Sequence, residues 1–190
     1  MQNLKQLWQK RWFKNLLFFS FISVAYFTNF PLWVNIQFTK LGLDSADQAI
    51  VGKYGESVYR STIVLEGVDG NNFDLSMYEG KPLFINFWAS WCVPCLAEFG
   101  SLEKLQNEFP GIEFIYVTNE QESSFKNYVE NTDYPFNFYQ LKSTVPNELG
   151  FQGIPTSFLL NERGEIVLRQ YGAANWSDQE TIDKIKSLLL

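Results

Sequence analysis

The sequence has 190 residues, enough for one ordinary domain and a modest extension, and its 46% hydrophobic and 19% charged composition excludes a disordered chain. It contains no histidine, which excludes Ser-His-Asp and Cys-His nucleophilic enzymes, histidine metal sites and c-type haem attachment. Its two cysteines, Cys92 and Cys95, are too few for a self-contained zinc site of four Cys or His ligands.

The net charge of −6 is unevenly distributed along the chain. Residues 1–40 carry five basic and no acidic side chains, whereas the remaining 150 residues carry 10 basic and 21 acidic ones, a net charge of −11. An acidic body repels the phosphate backbone, so we expect no nucleic-acid partner. The basic amino terminus needs a different explanation.

A long uncharged stretch follows the basic amino terminus. No charged residue occurs between Lys14 and Lys40, and residues 15–38 contain an apolar run of the length that one transmembrane helix needs. Positive charges before the run and the acidic body after it place the amino terminus in the cytoplasm and the remainder outside. We therefore predict a cytoplasmic basic segment over residues 1–14 and a single-pass anchor over residues 15–38.

A cleaved signal peptide is the alternative interpretation of this stretch. Ser23-Val24-Ala25 has the small-x-small pattern of a cleavage site. Cleavage there would leave an apolar core of only about seven residues, which is short for a signal, so the anchor is favoured. Both interpretations export the rest of the chain.

The exported part begins with a segment of mixed composition. Residues 39–57 combine Gly, Asp, Ser, Ala and Lys without periodicity and are interpreted as a linker. Residues 58–190 then alternate short β-rich runs with helical patterns, which predicts an α/β domain with a mixed central sheet. Asp69-Gly70 predicts a hairpin at its start, and the apolar residues 83–88 predict a central strand buried on both faces.

The rest of the domain continues this alternation. Apolar residues from Leu96 to Phe109 recur every three or four positions and predict an amphipathic helix that Pro110-Gly111 ends. The sequence Ser-Asp-Gln-Glu at residues 177–180 predicts a capping box before the last helix. The other predicted elements are strands over residues 112–117, 136–141, 154–160 and 166–171, a turn over residues 161–164, and a helix through Phe125, Tyr128 and Val129.

The two cysteines lie in Trp91-Cys92-Val93-Pro94-Cys95, between the predicted central strand and the start of a helix. Unpaired backbone N–H groups and the helix dipole at that position favour a thiolate and lower the pKa of the first cysteine. With two intervening residues, the second sulfur can form a disulfide with the first. Thiol–disulfide exchange requires such a neighbour, because it displaces the partner bound to the first cysteine. The pattern predicts a redox-active pair, and the alternatives are a purely structural disulfide or two buried thiols.

Two motifs together carry a resemblance to a known family. Asn-Phe-Trp-Ala-Ser-Trp-Cys-Val-Pro-Cys at residues 86–95, followed by Gly-Ile-Pro-Thr-Ser-Phe-Leu-Leu at residues 153–160, resembles the TlpA/ResA-like group of thioredoxin-fold proteins. The resemblance covers about residues 58–190. It implies a thioredoxin fold, in which helices flank the mixed sheet, here with an amino-terminal hairpin extension and one preceding transmembrane helix.

The resemblance also implies an activity and a location. Membrane-anchored members of the group are thiol-disulfide oxidoreductases that face the bacterial periplasm or the cell exterior. Many are protein disulfide reductases, for example keeping the haem-binding cysteines of apocytochromes reduced. The implied location is the bacterial cytoplasmic membrane, and the implied partners are protein thiols and disulfides. No bound cofactor and no metal are expected beyond the redox pair. Because each turnover oxidises the two cysteines, a donor, such as a membrane carrier, must return electrons to them.

Individual residues take roles from the resemblance. Cys92 matches the attacking cysteine, Cys95 the resolving cysteine, and Glu98 an active-site glutamate that could move protons. An ordinary solvated helix carboxylate is the alternative for Glu98. Pro155 matches a cis-proline that faces the disulfide, although a trans proline ending a loop is the alternative. The residues expected to bind substrate are Trp91, Ile154 and Pro155.

The sequence departs from the family pattern at three positions. Asn86 replaces the buried aspartate of ordinary thioredoxins, as is common in this group, so a carboxylate near the site must come from elsewhere. Leu96 stands where the group often has a basic residue, and Gly100 where it often has proline. These departures leave the subgroup and the reduction potential open.

Two further hypotheses compete with a reductase. The first is a tethered binding module whose disulfide only staples a loop; structural disulfides typically have reduction potentials below about −300 mV, so the potential separates the two. The second is half of a zinc site shared between two chains, which metal analysis of the reduced protein would reveal.

Overall fold

A computed structural model gives the fold of the chain. The chain divides into two compact units, Met1–Phe38 and Thr39–Leu190. The residues that the structure describes are 12, 14–23, 30–46, 49–54, 57–145, 149 and 152–189.

The amino-terminal unit is helical where it is described. Residues 14–23 form helix α1, and helix α2 begins at Phe30 and ends at Leu41. Apolar side chains of α1, among them Leu16, Phe18 and Phe19, are exposed. Among the described helices, none combines the length and the apolar character that crossing a bilayer requires. Residues 1–11 and 13 of the predicted basic segment, and residues 24–29 of the predicted anchor and cleavage site, lie outside the described residues.

The second unit is built on a mixed sheet, which in the described residues has eight strands. The strands are β1 (Ile50–Tyr54), β2 (Val64–Gly67), β3 (Asn72–Asp74), β4 (Leu83–Phe87), β5 (Glu113–Thr118), β6 (Phe138–Leu141), β7 (Thr156–Leu160) and β8 (Ile166–Tyr171). They lie in the order β1-β8-β7-β4-β5-β6-β2-β3. The helices are α3 (Val93–Glu108), α4 (Glu122–Glu130) and α5 (Gln179–Leu189), with 3-10 turns at Val58–Arg60 and Leu75–Tyr78.

Strand β4 is the centre of this sheet. It pairs in parallel with β5 and antiparallel with β7, while β5 and β6 are parallel. Every side chain of β4 is buried, as its continuous apolar run predicted. Because successive side chains of a strand point to opposite faces, β4 contributes to a separate core on each side of the sheet.

The core on one side is largely aliphatic. Leu83, Ile85 and Phe87 of β4 share this core with side chains from the hairpin and from the two 3-10 turns. Each such side chain stabilises the fold by about 1.5–3 kcal/mol when it is fully buried. Other members of this core are Val58, Leu65, Leu75, Ile115, Leu149, Phe158 and Ile166.

The core on the other side is aromatic and anchors helix α3. The ring of Phe84 stacks on Phe114 at 5.1 Å and meets the edge of Trp176 at 5.0 Å. From α3, the ring of Phe99 lies 5.4 Å from Trp88 and 5.8 Å from Tyr116. These contacts hold the helix that follows the cysteines against the central strands.

The predicted hairpin forms at the start of the domain. Strands β2 and β3 are antiparallel, and Gly70 in the connection has φ +81°, a left-handed conformation that glycine adopts without steric cost. The free side of β2 pairs with β6, so the hairpin extends the sheet rather than standing apart. The mixed-sheet α/β fold is therefore confirmed together with its hairpin extension.

The linker interpretation is wrong for part of residues 39–57. Strand β1 pairs antiparallel with β8, with Ile50 opposite Arg169. Ala46 and Ala49 are buried, and the Ala46 N–H donates to the Thr181 hydroxyl at 3.1 Å. A five-residue edge strand without alternating hydrophobicity leaves little trace in a sequence, because its main-chain hydrogen bonds depend on the neighbouring strand.

The predicted capping box of Ser177 and Glu180 is wrong, because the cap lies one residue later. Asp178, rather than Ser177, caps helix α5, because its Oδ1 accepts the Thr181 N–H at 3.0 Å and its Oδ2 accepts the Thr181 hydroxyl at 2.8 Å. The Ser177 hydroxyl instead donates to Asn175 Oδ1 at 3.0 Å. Two bonds to a charged carboxylate outweigh the one bond that a serine cap would make.

Candidate active site

Strand β4 and helix α3 position the two cysteines. After β4 ends at Phe87, a turn closed by the Cys92 N–H donating to the Ala89 carbonyl (3.0 Å) leads into the helix. Cys92 is the N-cap of α3, and its Sγ accepts a hydrogen bond from the Cys95 N–H at 3.3 Å. Pro94 lies in the first helical turn, where its missing N–H has no partner to lose. The predicted position between a buried strand and a helix N-terminus is confirmed.

The cysteines form a disulfide, and their burial differs. Cys92 keeps 5% of its surface exposed, Cys95 is fully buried, and the neighbouring Trp91 is 70% exposed. An incoming sulfur can therefore reach Cys92 more readily than Cys95. When the bond is reduced, the N–H groups and dipole of α3 favour the thiolate of Cys92. This asymmetry matches the attacking and resolving roles that the resemblance implied.

The Ile154-Pro155 segment lies at the same edge of the sheet as the cysteine turn. Phe87 at the end of β4 pairs with Thr156 at the start of β7, so the residues just before Thr156 and just after Phe87 leave adjacent strands at one edge. The Ile154–Pro155 peptide bond is cis, as the resemblance implied. Pro155 is buried and Ile154 is half-buried against the aliphatic core. The fold thus brings Trp91, Cys92, Ile154 and Pro155 to one edge.

Glu98 lies one helical turn beyond Cys95 and is fully buried, so the alternative of a solvated helix carboxylate is wrong. Its Oε1 accepts the Asn86 side-chain N–H at 2.9 Å. Its Oε2 accepts the Ala174 backbone N–H at 3.1 Å and the Trp176 indole N–H at 3.0 Å. Burial raises the pKa of Glu98 to about 7, and the three hydrogen bonds oppose that rise. A carboxyl with this pKa can both release and accept a proton near neutral pH.

Asn86 joins Glu98 to strand β7. Its side-chain N–H groups donate to Glu98 Oε1 and to the Ser157 hydroxyl, both at 2.9 Å, while its Oδ1 is buried with no partner among the described residues. The carboxylate that Asn86 itself lacks is therefore supplied from α3. Rotation of the amide by 180° would turn its oxygen toward Glu98, where it could accept a hydrogen bond from the protonated carboxyl.

Three partners of this network were not identified from the sequence. Ala174 and Trp176 reach Glu98 from 76 and 78 positions further along the chain, and Ser157 reaches Asn86 across 71 positions. No periodicity or motif links positions so far apart. Ser157 does lie within the motif at residues 153–160, which was the one available signal.

The described residues contain no group of three or more His, Cys, Asp or Glu side chains arranged to hold a metal ion. Cys92 and Cys95 are the only cysteine ligands that the sequence offers. A zinc site shared between two chains would require their disulfide to be reduced first, because zinc binds thiolates.

Named relatives match a little over half of the chain. The chain is 38% identical over 108 residues to the thiol-disulfide oxidoreductase ResA of Halalkalibacterium halodurans, covering 55% of this chain and 61% of that protein. It is 33% identical over 110 residues to ResA of Bacillus subtilis, covering 55% of this chain and 60% of that protein. The chain therefore matches about 60% of the length of these relatives.

Solved structures and a family match extend the comparison over the domain. The thioredoxin domain of a thiol-disulfide oxidoreductase from Bacteroides vulgatus matches with a TM-score of 0.60 at 20% identity, covering 74% of this chain and 100% of that one. At this identity the likeness shows the fold alone, which is thioredoxin-like. The Redoxin family matches residues 51–188, from the edge strand β1 into α5. Because that match spans well over half of its length, the chain belongs to the Redoxin family.

Proposed function

We propose that the protein is an exported, membrane-tethered thiol-disulfide oxidoreductase that reduces protein disulfides. The observation that carries this proposal is the Cys92–Cys95 disulfide at the N-terminus of α3, at the sheet edge that also holds Ile154 and Pro155. A purely structural disulfide has no need of an exposed tryptophan beside it, whereas disulfide exchange needs an attacking cysteine that a partner can approach, and Cys92 is the less buried of the two. The names of the ResA relatives support the same activity.

The reaction follows from the different burial of the two sulfurs. In the reduced protein, the Cys92 thiolate attacks one sulfur of a substrate disulfide; a mixed disulfide forms and the other substrate sulfur leaves as a thiolate. The Cys95 thiolate then attacks Cys92 Sγ, which closes the intramolecular disulfide and releases the second substrate thiolate. Two electrons pass from the dithiol to the substrate, and the two protons lost by the cysteines are taken up by the substrate thiolates.

Glu98 is proposed to handle protons during this cycle. Cys95 must lose its proton to resolve the mixed disulfide, and Cys95 is fully buried from solvent. Glu98 is buried one helical turn away, and its pKa of about 7 allows it to exchange protons at neutral pH. Asn86 can present either an N–H or its oxygen to Glu98, so both protonation states of the carboxyl find a hydrogen-bond partner.

Each turnover leaves the disulfide closed, so a donor must return two electrons. We propose a membrane carrier as that donor and no bound cofactor in this chain, because the cysteines themselves hold the electrons. The proposed substrates are extracytoplasmic protein disulfides. Apocytochrome cysteines are the first candidates, as the resemblance to the TlpA/ResA-like group implies.

The proposed location is the bacterial cytoplasmic membrane, with the Redoxin domain on the outer side. The basic residues before the apolar stretch support this orientation. Helix α1 supports a lipid environment, because it exposes Leu16, Phe18 and Phe19 among other apolar side chains that water solvates poorly.

Trapping the mixed disulfide tests the proposed function. Replacing Cys95 with Ser removes the resolving thiol, so substrate should remain covalently attached to Cys92. The matched control, Cys92→Ser, leaves only the fully buried thiol and should capture little. Adducts are isolated from exported fractions of cells expressing each variant, and the attached proteins are identified by mass spectrometry.

The captured proteins decide between the candidate functions. Apocytochromes attached to Cys95→Ser would place the protein in cytochrome c maturation, and a varied set would indicate a general reductant. If Cys95→Ser captures nothing that Cys92→Ser does not, the oxidoreductase proposal fails. The protein would then be better explained as a tethered binding module whose disulfide is structural.

A further inference from the structure

A carboxylate that the sequence analysis did not single out holds the turn that carries the cysteines. Glu120 follows strand β5, and its two oxygens accept hydrogen bonds from Ser90, one from the backbone N–H and one from the hydroxyl, both at 2.7 Å. Ser90 stands two residues before Cys92, inside the turn that the Cys92 N–H closes onto Ala89. Hydrogen bonds to a charged acceptor are about twice as strong as neutral ones, so this contact restrains the turn.

Glu120 is itself held in place by neighbouring strands. The Thr118 hydroxyl donates to Glu120 Oε2 at 3.3 Å and accepts the Glu120 N–H at the same distance. The Gln140 side chain, from β6, donates to the Glu120 carbonyl at 2.6 Å. Thr118 and Gln140 are both buried. Hydrogen bonds to Thr118 and Gln140 therefore fix the position of Glu120, and its carboxylate in turn restrains the turn through Ser90.

The charge of Glu120 also lies beside the turn that carries the attacking cysteine. One residue, Trp91, separates Ser90 from Cys92, and each of the two Cα–Cα steps spans about 3.8 Å, so the carboxylate lies within about 12 Å of the Cys92 Cα. No ion pair neutralises Glu120 in the part of the chain that the structure describes. The other carboxyl placed at the site is Glu98, on α3. A nearby negative charge disfavours a thiolate, which favours the disulfide over the dithiol and makes the pair a stronger electron donor.

We propose that Glu120 is a positioning residue of the redox pair: it locks the turn that presents Trp91 and Cys92, and its charge opposes ionisation of the Cys92 thiol. The proposal rests on the proposed function, because a reductant benefits from both effects. The helix N-terminus favours the thiolate, and Glu120 limits that preference without contacting the sulfur.

Three variants separate the two effects. Glu120→Gln removes the charge and keeps one acceptor oxygen, Ser90→Ala removes one hydrogen bond and keeps the charge, and Glu120→Ala removes both. The thiol pKa of Cys92 is measured from the pH dependence of iodoacetamide alkylation of the reduced protein, which requires no substrate. Turnover is measured separately with insulin disulfides and dithiothreitol.

We expect the Cys92 pKa to fall by about 0.3–1 unit in Glu120→Gln and in Glu120→Ala, and to stay within about 0.2 unit in Ser90→Ala. We expect the kcat/KM of Glu120→Ala to fall about tenfold because the turn is no longer fixed. An unchanged alkylation profile in Glu120→Gln would overturn the proposal even if Glu120→Ala fails to fold. Because alkylation is independent of turnover, a wild-type protein without reductase activity would refute the proposed function and leave the Glu120 test intact.

Discussion

Glu98 is a fully buried carboxyl whose pKa departs strongly from that of a free side chain. Its burial raises the carboxyl pKa from 4.5 to about 7 in the folded chain. A carboxyl that binds its proton more tightly when folded stabilises the native state at low pH. That stabilisation is fully present below pH 4.5 and is lost as the pH rises from 4.5 to about 7. Integrated over this window, the loss is about 3 kcal/mol.

Replacing Glu98 with Gln should remove this pH dependence. We expect the variant to fold, because glutamine can keep the buried hydrogen bonds of Glu98. Its side-chain oxygen can accept the Ala174 and Trp176 N–H groups. Its NH2 group can donate to the Asn86 oxygen once the Asn86 amide has rotated. Urea unfolding of the oxidised proteins at several pH values between about 4 and 8 measures the effect, and the closed disulfide keeps the cysteines from titrating.

The wild-type stability, taken relative to that of Glu98→Gln, should fall by about 3 kcal/mol across the window. A difference that stays constant with pH would show that Glu98 titrates near its ordinary value. If Glu98 exchanges protons with the cysteines, the thiol–disulfide exchange rate of the same variant should also depend less on pH near neutrality.

The conformation of the cysteine turn also depends on a residue that is distant in sequence. Its own sequence provides Ala89, Ser90 and Trp91, but the carboxylate that fixes Ser90 comes from the end of β5. If the Glu120 variants lower the Cys92 pKa as expected, the reactivity of the redox pair depends on residues that follow two neighbouring strands, β4 and β5.

At the scale of elements, the turn between β7 and β8 depends on one crowded glycine. The predicted turn at residues 161–164 forms, and Gly164 adopts φ +74°. A Cβ at this position would lie 2.5 Å from Ser57 Oγ and 2.5 Å from a ring carbon of Tyr59. The Gly164 carbonyl also accepts the Val58 N–H at 2.9 Å, so the turn packs tightly on the first 3-10 turn.

Gly172 is a matched control for this position. It has φ +78°, similar to Gly164, but a Cβ there would meet no atom within 4 Å. We expect Gly172→Ala to cost about 1 kcal/mol of folding free energy, from the left-handed backbone alone. Gly164→Ala should cost about 3 kcal/mol or more, because Tyr59 must also move. Urea unfolding of both variants measures the difference, and equal losses would show that Tyr59 yields without cost.

At the scale of the whole molecule, the proposed anchor would hold the domain at the outer side of the cytoplasmic membrane. We expect the chain to stay in the membrane fraction after alkaline carbonate extraction. In intact spheroplasts, added protease should cleave the chain beyond about residue 40 while an epitope placed before Lys5 stays protected. The control is the same preparation after detergent lysis, in which both ends should be digested. Recovery of a mature chain that begins after Ala25 in the soluble exported fraction would contradict the anchor and establish a cleaved signal.

The sequence alone was sufficient for the elements around the cysteines. Strand β4, helix α3 and the β2–β3 hairpin were all predicted, because each is encoded by hydrophobic periodicity or turn residues within a short window. The redox pair was predicted for the same reason, since two cysteines, a strand and a helix start follow one another within a short stretch of the chain.

Other features were decided only by the tertiary structure. Strand β1 forms because its main chain pairs with that of β8. Asp178 caps α5 because its carboxylate accepts two hydrogen bonds, whereas Ser177 would accept one. Buried Glu98 has a hydrogen-bond partner in Trp176, 78 residues away in sequence. A local pattern specifies the conformation of its own segment, whereas burial, pKa and hydrogen-bond partners depend on which distant segments pack against it.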